Sequence, residues 1–104
     1  MWTAVICGFV GGLWAGNAAP HFLKGIGRES YPTVLGDSAL VNFLAGWVGL
    51  MLAMGFLAWA AAVGPGLVVG LSAALGVLLM GTFHALGGAF WLKGRASRRA
   101  GQRG

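Results

Sequence analysis

Charge is missing from three long stretches of this chain. Trp2–Ala19, Ala39–Val63 and Gly66–Leu92 contain no Asp, Glu, Lys or Arg. Each stretch is long enough, at about 1.5 Å per residue, to cross a hydrocarbon core of ~30 Å. The chain has 104 residues, of which 58% are hydrophobic and 9% charged, so no soluble domain remains to bury that surface. The pattern predicts an all-α integral membrane protein with three transmembrane helices over 2–19, 39–62 and 66–92. These spans form a single domain, 1–92, with a polar loop at 20–38 and a basic tail at 93–104 that is expected to be disordered in water.

The breakers between the runs set these limits. Pro20 should stop the first helix, and Gly25, Gly27, Pro32 and Gly36 break up the loop. Asp37 or Ser38 suits the N-cap of the second helix, and Gly64-Pro65-Gly66 reads as a tight turn that closes an antiparallel hairpin.

Orientation follows from the basic residues. All seven lie in the loop (Lys24, Arg28) or the tail (Lys93, Arg95, Arg98, Arg99, Arg103). The positive-inside bias places both in the cytoplasm, giving an N-out/C-in protein of the cell (inner) membrane, with Trp2, Trp59 and Trp91 near the interfaces. No basic region precedes the first apolar run, so that run is expected to be retained rather than cleaved as a signal peptide. Lys93, Arg95, Arg98 and Arg99 are expected to meet anionic lipid headgroups, each contributing about 1 kcal/mol near the surface. Nucleic acid is not an expected partner, because no aromatic residues interleave with the tail's cations.

The runs carry stripes of small residues. Gly8, Gly12 and Gly16 repeat every four residues. Gly46, Gly49, Ala53 and Ala60 share a face of the second helix, and Gly66, Gly70, Ala73, Gly81 and Gly88 one of the third. Such stripes allow close backbone approach where lipid offers no hydrophobic drive, so they predict a glycine-rich bundle or a larger oligomer. Cys7, the single cysteine, reads as a small packing residue.

Asn17, Asn42 and His84 form the expected intramembrane polar cluster. Asn42 and His84 fall on the small-residue faces, whereas Asn17 lies off the Gly8/Gly12/Gly16 face. On straight helices Asn42 is about 6 Å and His84 about 13 Å from the cytoplasmic ends, which leaves direct contact open. The leading reading of His84 is a neutral imidazole bonded to Asn42 or to a backbone carbonyl. Proton relay, haem or quinone contact and a partner contact are the alternatives. His21 is placed at the membrane surface, well above His84, so paired haem ligation is not expected, and neither cofactor nor metal is implied. Pro20, His21, Phe22, Lys24, Arg28 and Tyr31 mark the loop as a recognition element, with Phe22, Leu23 and Ile26 forming a short interfacial amphipathic turn.

One string resembles a family. Asn17-x-x-Pro20-His21-Phe22-x-Lys24-Gly25-Ile26, then Ser30-Tyr31-Pro32-Thr33, Gly36-x-Ser38 and Asn42-x-x-x-Gly46-Trp47 resemble small bacterial membrane proteins to which no activity is assigned. The resemblance covers roughly residues 8–47. It implies a membrane protein of about this length and brings no catalytic residue with it.

No nucleophile beside a base, carboxylate pair or phosphate-binding glycine loop is present, so no enzyme is expected. The favoured function is an accessory or scaffold subunit working through helix packing, as a homo-oligomer or in a larger membrane complex. A holin-like pore former or small transport element is the alternative.

Overall fold

The computed structural model describes residues 1–103, Arg103 by its backbone alone. It is all-helical: α1 Trp2–Ile26, α2 Ala39–Val63, α3 Gly66–Ala85 and α4 Gly88–Arg103. Helices α1, α2 and α3 are long and apolar enough to cross a membrane.

Two limits differ from expectation. Helix α1 does not stop at Pro20 but runs through it to Ile26. Proline costs a helix about 3 kcal/mol by removing one N–H and crowding the carbonyl four residues back. Here that carbonyl belongs to Gly16, and continuing the helix keeps Ala18 and His21 buried on either side of Pro20 and seats Gly25 against Phe43. In a bilayer, leaving the helix would orphan more backbone groups than proline does. The loop is thus shorter than expected, and the Phe22–Ile26 turn continues α1 instead of forming a separate surface element.

The third run breaks before Leu92. Leu86 caps α3 and Gly87 takes φ +82°. That conformation suits glycine and redirects the chain. The expected disordered tail is instead α4. Two contacts hold its base: Phe90 lies edge-on to Tyr31 at 5.4 Å, and Lys93 forms an ion pair with Asp37. Gly104, the tail's last residue, lies outside the described residues.

The turn at Gly64-Pro65 is as expected, and Ser38 caps α2 by accepting from the Val41 N–H at 3.1 Å. The two helices joined by that turn, however, scarcely touch. Helix α1 lies between them and packs against both. It runs antiparallel to α2, with Ala18 on Gly49 and Gly11 on Ala53 and Leu57, and parallel to α3, with Gly8 on Ser72 and Gly16 on Val77 and Met80. A Cβ at Gly12 would overlap the backbone of Ala73, and one at Gly76 the backbone of Phe9. Each interface is therefore made where two backbones come together. Ala4, Cys7, Ala60 and Val69 form the small core, with Phe56 and Leu57 against it. The large side chains of α3, including Leu67, Leu71, Leu75 and Leu78, point outward. Large apolar groups outside and small ones inside is the arrangement a hydrocarbon solvent favours.

The face expected for α3 also differs. Val69, Ser72 and Gly76 are its buried residues, whereas Gly66, Gly70 and Gly81 are exposed and would meet nothing if given a side chain. Gly88 lies past the break, buried beside Phe83. Stripes of different phase coexist on a glycine-rich helix, and spacing alone does not select the one that packs.

Candidate functional site

The polar residues gather at the charged end of the helices. Asn42 is fully buried and is the hub. Its amide nitrogen donates to the carbonyls of Tyr31 (2.8 Å), Ser38 (2.9 Å) and Asp37 (3.2 Å). Three carbonyl partners fix the orientation of the amide, so its Oδ1 must accept. It accepts from Nδ1–H of His21 at 2.8 Å. One side chain thereby joins α1 and α2 and ties down both ends of the loop.

His84 belongs to a second arm. The Tyr31 hydroxyl donates to its Nδ1 at 3.2 Å, and its Nε2–H donates to Asn17 Oδ1 at 2.8 Å. These bonds are all satisfied with both histidines neutral. Tyr31 unites the two arms, by its carbonyl on Asn42 and its hydroxyl on His84. The His21 ring packs edge-on against Tyr31 at 5.3 Å and against His84 at 5.7 Å.

The geometry corrects two expectations. Asn42 and His84 do not bond directly. His21 is not at the surface but only 8% exposed, with its ring beside that of His84. Asn17, although off the glycine face, stands in the cluster as expected, bonded to His84. The missed signal was helical: with α1 continued through Pro20, Asn17 and His21 stand four residues apart on one face. The network role of Tyr31 has no local signature in the sequence.

The remaining loop residues lie apart from this network. Pro20 is inside α1, and Phe22 packs against Gly46 with its ring 5.6 Å from that of Phe43. Lys24 donates to Glu29 at 2.6 Å, and the ammonium holds that carboxyl below its ordinary range. Arg28 is exposed at φ +61°, capping the end of α1. Burial raises the Tyr31 phenol above its usual value. On α4, Lys93, Arg95, Arg98 and Arg99 are exposed, with the Arg95 guanidinium 5.4 Å over the Trp91 ring.

Beside the network is a cavity of about 750 Å³. Trp14, Asn17 and His21 of α1 line it, with the α2 flank from Val41 to Leu52, His84 of α3 and the base of α4. It lies on the side where α2 and α3 do not meet. Among the described residues, no three His, Cys, Asp or Glu side chains gather as a metal site requires. Compared with family models, curated proteins and solved structures, the chain matches none.

Proposed function

We propose that this protein is an accessory or scaffold subunit of a membrane assembly, acting through helix packing rather than catalysis. The observation that carries the reading is the lane of Gly66, Gly70, Ala74 and Gly81 along the uncovered side of α3. Large side chains cover most of the outer surface of α3, but this lane leaves backbone open to a close neighbour. The occupant is a helix of a second copy or of a larger membrane protein. Tying of the polar groups to one another, rather than along a lumen, favours packing over a holin-like pore.

In this reading the protein sits in the bacterial inner membrane, N-out/C-in. The last turn of α1, the loop and α4 hold every charged residue at one end and face the cytoplasm. The cations of α4 contact anionic headgroups, and the loop presents Val34 and Leu35, 95% and 79% exposed, to a partner. The string from Asn17 to Trp47 remains the proposed mark of the family.

The test is isolation of native-membrane complexes with mass identification, for wild type and for Gly70→Leu with Gly81→Leu. Loss of the complex with an unchanged thermal melt is the expected result. A wild-type protein that is monomeric in native membranes, or a complex that survives both changes, overturns the proposal. A reporter fused after Gly104 should be cytoplasmic; a periplasmic reporter refutes the orientation.

A further inference from the structure

His21 is buried, yet half of its hydrogen-bonding capacity is unused. Donation from Nδ1 to Asn42 leaves the neutral ring with a bare lone pair on Nε2. No donor among the described residues meets that nitrogen. No fully enclosed side-chain nitrogen or oxygen among those residues lacks a partner, so Nε2 is reached from the cavity whose wall His21 forms. One helical turn away on the same face, Asn17 spends its carbonyl on His84 and leaves its NH₂ group without a partner among the described residues.

An acceptor and a donor one helical turn apart suit a hydroxyl, which both gives and accepts a hydrogen bond at a single atom. It gives its proton to the imidazole and accepts from the amide. A charged head would find no free counterion among the described residues, since the ionised groups lining the cavity there, Lys93 and Asp37, neutralise each other. From the polar corner the cavity runs along Val41, Leu44, Val48 and Leu52, an apolar trough of suitable size for a lipid tail and open on the flank.

We propose that this cavity binds a membrane lipid with an uncharged hydroxyl head, the hydroxyl lying between His21 Nε2 and the Asn17 amide and the tail in the α2 trough. Quinols and acylglycerols both carry that chemistry.

The test uses the full chain in nanodiscs with isotope-labelled histidine. It is titrated with decylubiquinol, dioctanoylglycerol, the methyl ether of each and dioctanoylphosphatidic acid. At least one hydroxyl probe should bind about tenfold tighter than its ether and than the phosphatidic acid, and should shift the His21 Nε2 resonance. Preference for one hydroxyl probe identifies the source; equal binding leaves the hydroxyl itself as the group recognised. Val48→Trp fills the trough without touching the network and should weaken binding about tenfold or more. Absence of binding, equal binding of ethers, tighter binding of the phosphatidic acid, an unmoved His21 resonance or an unaffected Val48→Trp variant would each overturn the proposal.

Discussion

The two ends of the helical layer are held by different forces. Toward the Gly64 turn, Ala4 packs with Cys7, Ala60 and Val69, and Ser72 is the one polar side chain buried there among the described residues. Toward the loop, helix contacts are bridged by Asn42, His21, Tyr31, His84 and Asn17. The apolar end needs only close approach, so small residues suffice. At the other end the chain must also secure a loop and a change of direction at Gly87, and backbone carbonyls of the loop need donors. Polar side chains supply them where water is scarce. One end is specified by size and the other by donor and acceptor geometry.

Substitutions can break that distinction. Gly12→Leu should have the largest effect, because the side chain would enter the Ala73 backbone. A loss of about 3 kcal/mol or more is expected in detergent unfolding. Gly70→Leu, facing open space, should stay within about 0.5 kcal/mol in the monomer. Equal losses for the two would show that the α1–α3 interface is not backbone-limited.

Asn42→Leu comes next. It strands His21 Nδ1 and the Tyr31 carbonyl, whereas the Asp37 and Ser38 carbonyls keep backbone donors from Tyr31 and residue 42, and about 2–3 kcal/mol should be lost in the same measurement. His84→Gln should cost about 1 kcal/mol or less, since an amide replaces one of the imidazole bonds. A larger loss for His84→Gln than for Asn42→Leu would move the hub of the network from α2 to α3.

Arg28→Gly should stabilise by about 1 kcal/mol, because glycine adopts the φ +61° conformation without the Cβ penalty. An unchanged or lower melting temperature would count against that cap.

The smallest effect is with pH. Burial raises the Tyr31 phenol above its ordinary value of 10.0, so the folded state holds this proton more tightly than the unfolded one. Its contribution is complete below that value and is lost as pH rises through the higher folded one. Tyr31→Phe should remove this alkaline loss from a melting-temperature profile above pH 10. A profile identical to wild type would mean that the phenol is not sheltered.

Much of the apolar end was legible in the sequence, because span length and the Gly8/Gly12/Gly16 repeat are local properties of one helix. The polar end was less so. Pro20 read as a stop because its local cost is visible, whereas the compensating burial of Ala18 and His21 is tertiary. Asn42 reads as inward-facing from its spacing, but its partners come from the loop and from the turn of α1 beyond Pro20. The break at Gly87 lay hidden in a charge-free run, since hydropathy does not register a positive φ. On α3, exposed Gly70 and buried Gly76 are equally small, and only the position of α1 tells them apart.

The central place of α1 bears on how the chain is assembled. It precedes α2 and α3 in the chain and is the least apolar of the three, with a mean hydropathy of 1.2 against 1.9 and 2.0. Neither later helix has a substantial interface except with α1. During synthesis α1 must therefore wait in the bilayer, its glycine faces bare, until both others have been delivered. The half of its surface that receives α3 stays vacant longest, through the synthesis of the whole of α2. The step that commits the fold is thus the last to become available, and in that interval the newborn chain is most open to chaperones, proteases and wrong neighbours.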